Sequence, residues 1–288
     1  MAFSPELSVV IFGLLASMSY GSGDFLGGMA SKRMSSVAVV VIAHFIGLFL
    51  LLALALLSRE ALPASTDLVW GALAGLGGAL GLAGFYRALA VGRMGLNAPV
   101  VAVLATAFPI IVAVTTQGVP QSHHLLGFVF GIIALALVSY SGGTLNETRG
   151  LGLAVAAAFG FGAFFICISR VESEGVFWPL LAARVTSFTA MLIIARFTRQ
   201  NVQPTDSGLF RMAAFAGALD VFGNIFFVLA EQSGRLDIAA VLSSLYPAMT
   251  VLLARLILNE RLSRIQMLGV LTALAAIILI SLPAPANA

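Results

Sequence analysis

Apolar residues along this chain fall into runs of about twenty, divided by short clusters of charged and turn-forming residues. Runs of that length suit a helix crossing the hydrocarbon core of a bilayer. They predict helices over residues 7–30, 37–57, 68–90, 96–117, 124–142, 150–170, 177–197, 209–231, 237–257 and 265–283. Residues 1–30 are read as the first of these spans and not as a signal peptide, since they lack a basic leader, carry Glu6 and run into further apolar segments. The longest connection, around residues 199–207, is too short to fold by itself. Whatever chemistry the chain performs is therefore expected among the helices.

The second five spans echo the first five. Tyr20 opens YGSGDF and Phe159 opens FGFGAF, an aromatic-G-x-G-x-F pattern repeated at a separation of 139 residues. Phe108-Pro109 answers Tyr246-Pro247 at 138, and Leu126-Gly127 answers Leu268-Gly269 at 142. Markers that keep both order and spacing predict a duplication, with residues 1–145 as the first five-helix repeat and 146–288 as the second, inside one membrane domain. Five crossings is an odd number, so two copies in series enter the bilayer with opposite orientation. Inverted repeats surround a midplane site in many transporters and rock against each other to give alternating access. The expected fold class is all-α and integral to the membrane, with ten transmembrane helices as two inverted five-helix repeats.

Composition removes the soluble alternatives. The residues AVILMFWYC make up 60% of the chain, charged residues 9%, and mean hydropathy is +1.06, whereas a soluble domain carries about 25% charged residues. A pI near 9.5 does not imply a nucleic-acid partner, because the 15 Lys and Arg are scattered and leave a net charge of only +3. Cys167, the only cysteine, permits no intrachain disulfide. The basic residues are unevenly shared between the two sides. Connections after odd-numbered spans hold Lys32, Arg33, Arg93, Arg149, Arg196, Arg199, Arg211, Arg261 and Arg264, and those after even-numbered spans hold Arg59, Arg170 and Arg235. The positive-inside rule then places the termini outside.

An ionised side chain at the bilayer centre costs roughly 2.5–3.5 kcal/mol on insertion scales, so it needs a partner or a wet cavity. Asp24, His44, Arg184 and Asp220 lie deepest in the expected spans. On the first helix Ser17, Tyr20, Asp24 and Gly28 share a stripe, and on the eighth Asp220, Asn224, Phe227 and Glu231 do. Asp24 reads either as a cavity carboxylate open to proton coupling or as the structural partner of an arginine. His44 and Arg184, 140 residues apart at equivalent points of helices two and seven, point to a hydrogen-bonding or cationic ring suited to a carboxylate-bearing substrate. The competing reading has Arg184 neutralised by Asp220 for packing alone, and His44 in an interhelical hydrogen bond.

Arg87, about one turn from the end of the third span, either lines the cavity or snorkels to the interface. Arg196, Arg255 and Glu231, nearer helix ends, are read as edge anchors. Tyr20, Tyr86, Phe108, Trp178 and Tyr246 offer an apolar wall, although Trp178 also suits the membrane interface. Pro109 and Pro247 interrupt helices four and nine at matching positions and are expected to act as hinges. The candidate substrate cavity thus comprises Tyr20, Asp24, His44, Tyr86, Arg87, Arg184, Asp220, Asn224 and Tyr246.

Gly21-Ser22-Gly23-Asp24 looks like the GxGD motif of intramembrane aspartyl proteases, with Asp220 as the one comparable second acid. Asp220 follows the motif where it should precede it, and no PAL tripeptide is present, so a pair of acids sharing a proton is the lesser reading. No HExxH, GxSxG or Walker loop occurs, and His123-His124 are poorly spaced for a metal. No catalytic residue, cofactor or metal is expected. Without an ATP site, transport must draw on a gradient, such as protons, or on exchange. A non-transporting membrane receptor stays open as a third class.

YGSGDFLGG in the first span, FYRALAVGRMGLNAPVVAVLATAFPII from Phe85, SSLYPAMTVLLARLILNERLS in the second half and residues 266–269 behind it keep a characteristic order and spacing. In these stretches the chain resembles the drug/metabolite transporter superfamily, in particular its ten-helix EamA-type branch. The resemblance implies an all-helical basket with pseudo-two-fold symmetry. It also implies a central cavity lined mainly by helices one to four and six to nine, with the fifth and tenth helices peripheral. Cytoplasmic termini are implied as well, against the charge count, which leaves the orientation open. Substrates across the family include amino acids, nucleotide sugars and other metabolites, and the nearest likeness is to bacterial amino-acid exporters, the aromatic branch included. The resulting expectation is a multi-pass transporter of the inner (plasma) membrane. It exports small organic metabolites, amino acids foremost, with the bilayer and a small-molecule substrate as partners.

Overall fold

A computed structural model describes residues 5–92, 94–138, 150–204, 206–258 and 264–281. Among them the ordered elements are eleven helices: α1 (Pro5–Ala30), α2 (Ser36–Ser58), α3 (Ser65–Val91), α4 (Met94–Gln117), α5 (Ser122–Val138), α6 (Leu151–Ile168), α7 (Phe177–Phe197), α8 (Ser207–Ser233), α9 (Leu236–Ser243), α10 (Tyr246–Leu258) and α11 (Arg264–Ser281). Seven are long and apolar enough to cross a bilayer, namely α1, α2, α3, α4 over Val100–Gln117, α6, α7 and α8. Shorter apolar stretches run over Ser122–Ala134 and Leu236–Thr250. Helices satisfy their own backbone N–H and C=O groups, which hydrocarbon cannot do. The join expected between residues 145 and 146 lies outside the described residues, as do Arg93, Arg149 and Arg261 and the side chain of Arg255.

Polar residues set several helix ends. Asp206 accepts a hydrogen bond from the Leu209 N–H at 2.8 Å and so starts α8. Arg59, at φ 56°, closes α2 in the left-handed region.

The helices pack in matched pairs. α1 lies chiefly on α8, as α3 does on α6; α2 meets α8 as α7 meets α3; and α4 lies on α6 as α9 and α10 lie on α1. α5 packs chiefly on α11 and only lightly on the rest. The tightest approaches use small residues, which let helix backbones close up in lipid. A Cβ on Gly75 of α3 would stand 2.2 Å from the Ala183 carbonyl oxygen on α7, and one on Gly217 of α8 would stand 2.2 Å from the Ala43 carbonyl oxygen on α2. Ala43 and Ala183 directly precede His44 and Arg184. These contacts therefore set where both polar side chains enter the interior.

α4 runs unbroken through Pro109, which corrects the expectation of matching interruptions. An interior proline removes one backbone hydrogen bond, and here the remaining turns and the packing on α6 hold the helix together. The segment expected as the ninth span does break. α9 ends at Ser243, and the N–H groups of Ser244 and Leu245 bond to the carbonyls of Ala240 and Leu242 before Pro247 enters the first turn of α10. First-turn positions have no intrahelical acceptor to lose, so a restart suits the proline there.

Carboxylates tie connections of the two halves together. Glu60 accepts from the N–H groups of Val176 and Phe177, both at 2.9 Å, and its carbonyl accepts from the Trp178 indole at 3.1 Å. An anion is favoured at the start of a helix such as α7. Asp67 accepts from Glu172 and Ser173 at 3.2 and 3.1 Å. Arg235 pairs with buried Asp237 at 2.9 Å and donates to the Gln117 and Gly118 carbonyls at 3.0 and 2.8 Å.

Candidate functional site

A central cavity opens among α1, α2, α3, α4, α6, α7, α8 and the turn between α9 and α10. Its empty space, open mouth included, is about 770 Å³. Tyr20, Asp24, His44, Arg184, Asp220, Asn224 and Tyr246 all line it.

One polar chain joins three helices across this space. Arg184 Nη2 donates to Asp220 Oδ2 in an ion pair. Asn224 Nδ2 donates to the same oxygen at 3.3 Å, and the Tyr20 hydroxyl donates to Asn224 Oδ1 at 2.8 Å. Asp220 and Asn224 cooperate because residues four apart share a helix face. Pairing offsets the penalty that either ion would meet alone, and it gives Arg184 a counter-ion from the protein itself while using one of its five N–H donors. Of the two readings of Arg184, the structure holds the ion pair with Asp220, placed on the cavity wall.

Three further polar groups at the cavity keep bonding capacity. His44 is 1% exposed and its Nδ1 has no hydrogen-bond partner among the described residues, nor has the Ser243 hydroxyl. Asp24 is buried and makes no hydrogen bond or ion pair with a described residue. Since buried polar groups are as a rule paired, these three are the candidate contacts for a bound molecule. With Arg184 matched by Asp220, Asp24 is the carboxyl of the lining without a basic partner among the described residues.

Tyr86 and Arg87 do not line the cavity, which corrects the expectation for both. Tyr86 is buried behind the wall, its ring so close over Gly27 that a Cβ there would lie 2.2 Å from it. Arg87, about 100° further round the helix, is exposed, as snorkelling requires. Phe108 packs on Phe159, with ring centroids 5.1 Å apart, and Trp178 is bound to Glu60, so neither joins the wall. Glu231 sits beside a smaller pocket with Val176 and Gln232.

The apolar wall comes from residues that the sequence reading passed over, Phe161, Phe164 and Phe165 of α6, together with Tyr246. The FGFGAF counterpart of YGSGDF carried that signal, since Tyr20 and Asp24 of the first copy line the same cavity. Thr106, Ser187 and Ser244 also line it, but their hydroxyls donate to helix carbonyls, to Ala102 at 2.6 Å, Ala183 at 2.6 Å and Val241 at 2.7 Å. Only the Ser243 hydroxyl among these serines is uncommitted.

Residues 148–282 match the EamA-like transporter family. An uncharacterized protein of Methanocaldococcus jannaschii is 33% identical over 132 residues, which are 46% of this chain and 94% of that protein. A crystal structure of a protein of 16% sequence identity superposes with a TM-score of 0.73, over 94% of this chain and 96% of the other, and shares the fold. With seven helices fit to cross a bilayer and these likenesses, the chain is an integral multi-pass membrane protein and belongs to the EamA-like transporter family.

Proposed function

We propose that the chain is a secondary transporter that exports small organic metabolites across the plasma membrane, amino acids foremost and aromatic ones among them. Two inverted five-helix repeats, residues 1–145 and 146–288, alternate access to the cavity. The observation that carries this reading is the cavity itself, where both halves contribute to one lining that holds Asp24 together with aromatic rings. The matched helix packings support the repeat. So does a relative nearly all of whose length corresponds to less than half of this chain.

An amino acid suits the lining group by group. Asp24 receives the ammonium, with Phe161 and Tyr246 offering ring faces to cation and side chain. His44 Nδ1 and the Ser243 hydroxyl serve the carboxylate, and Arg184 shares its guanidinium between Asp220 and the substrate. When no ammonium is bound, Asp24 is the group able to carry a proton, which allows either proton coupling or exchange. Export is the direction implied by the likeness to bacterial amino-acid exporters. The protease reading finds no support, because Asp220 is engaged by Arg184 and Asn224 and shares no hydrogen bond with Asp24.

Flux of labelled amino acids, their decarboxylated amines and their amides into proteoliposomes tests the proposal. Asp24→Asn is expected to lower flux of every ammonium substrate about tenfold, the loss of one charge-assisted hydrogen bond. Arg184→Gln is expected to weaken carboxylate substrates more than their amides. Equal loss of both makes Arg184 a structural partner of Asp220 only, and binding without flux favours a receptor.

A further inference from the structure

A second cavity, which the transport reading does not use, lies between α4, α5 and α9. Ile110 and Ile111 of α4, Gly131 and Ile132 of α5 and Val241 of α9 wall it, around about 650 Å³ of empty space with its mouth included. It exists because α5 gives most of its packing to α11 and meets α4 and α9 only lightly. Its mouth faces outward, where Ile111 is 62% and Ile132 46% exposed. Around a multi-pass membrane protein, outward at this depth means hydrocarbon.

Thr106 and Ser244 are its polar residues, and both hydroxyls are already spent on carbonyls of their own helices or turn, Ala102 at 2.6 Å and Val241 at 2.7 Å. No hydroxyl proton is left for the phosphate or carboxylate of a headgroup or polar metabolite, which would be desolvated without compensation. An apolar chain pays no such penalty and recovers the dispersion contacts that an unfilled void forgoes. The same Thr106 and Ser244 also line the central cavity. An occupant of the outer cavity therefore abuts the back of the central wall at the α9–α10 turn, where the ninth span is broken.

We propose that the cavity between α4, α5 and α9 is a binding site for a lipid acyl chain, which enters from the bilayer and braces the Ser244 turn against the central cavity. This assignment does not depend on the identity of the cargo.

The test reconstitutes the full chain in phosphatidylcholine vesicles containing a phosphatidylcholine with a diazirine midway along one acyl chain, with adducts mapped by mass spectrometry after irradiation. Adducts at Ile110, Ile111 and Ile132 are expected several-fold above those at Phe49 and Phe215, which are 54% and 62% exposed on other helices. Gly131→Leu fills the cavity from α5, since a Cβ there would lie 3.2 Å from Val241 Cγ1, and is expected to cut the cavity adducts several-fold while sparing Phe49 and Phe215. Ala107→Leu fills it from α4 and makes the same comparison if the first variant misfolds. Labelling at Ile111 no higher than at Phe49, or cavity labelling unchanged in a folded filled variant, overturns the proposal. The wild-type comparison decides by itself if neither variant folds.

Discussion

Gly217 lies against the Ala43 carbonyl so closely that a Cβ would stand 2.2 Å from its oxygen, and α8 and α2 therefore touch backbone to backbone one residue before His44. Gly75 and Ala183 repeat the contact between α3 and α7 one residue before Arg184. His44 and Arg184 are thus positioned by the same device.

Adding even one carbon at either glycine forces the helices apart. Gly217→Ala and Gly75→Ala are each expected to destabilise the purified protein by about 1–3 kcal/mol, the usual cost of overpacking. Gly152→Ala is the control, because nothing lies within 4 Å of a Cβ there, and it should be neutral or stabilising by roughly 0.5–1 kcal/mol. Thermal unfolding in detergent measures all three. Gly217→Ala melting with the wild type would show that the contact is not structural.

Breaking the Arg184–Asp220 pair from one side leaves a buried ion alone. Arg184→Met and Asp220→Leu are each expected to cost about 3–5 kcal/mol, whereas the double variant recovers most of that loss. A double-mutant cycle on unfolding reads the coupling. Additive losses would mean that the two ions are stabilised by something other than each other.

Pro109 and Pro247 occupy equivalent sequence positions in unlike structures. Pro247→Ala restores a donor for the Ser243 carbonyl and favours one straight helix through α9 and α10, so flux at saturating cargo should fall with little change in binding. Pro109→Ala adds a bond to a helix already continuous and should change flux less. Wild-type flux in both variants removes the hinge role.

Glu60 receives two N–H groups at the start of α7 through its two carboxylate oxygens, and an amide has only one acceptor to offer. In a Cys167→Ser background, a thiol introduced as Ser173→Cys should be labelled by aqueous maleimide about tenfold faster once Glu60→Gln is added, a change matching the loss of one hydrogen bond to a charged group. Unchanged labelling would mean that this end is held by other contacts.

Much of the architecture was legible because hydrocarbon imposes the same demand at every point along the chain. Apolar length located the helices, to the residue at both ends of α7 (Phe177–Phe197), and Asp24, His44, Arg184 and Asp220 were conspicuous because an ion amid apolar residues must find a partner or water. All four line the central cavity.

Partner choice and facing were not legible. Arg184 meets Asp220 across α7 and α8, Tyr86 turns behind the wall while Arg87 reaches outward, and Phe164 rather than Phe108 lines the cavity. Each depends on how far a helix is rotated about its own axis, and that rotation is set by contacts such as Gly217 with Ala43, between segments far apart in sequence. Likewise the aromatic-Pro pairs at Phe108 and Tyr246 are near-equal as sequence, yet α4 stays whole while α9 and α10 are separate helices. Sequence by itself determined the solvent, the helices and which side chains needed company. Tertiary packing alone decided who the company is, because the rotation and closeness of two helices follow from the surfaces they present to each other and not from the residues of either one.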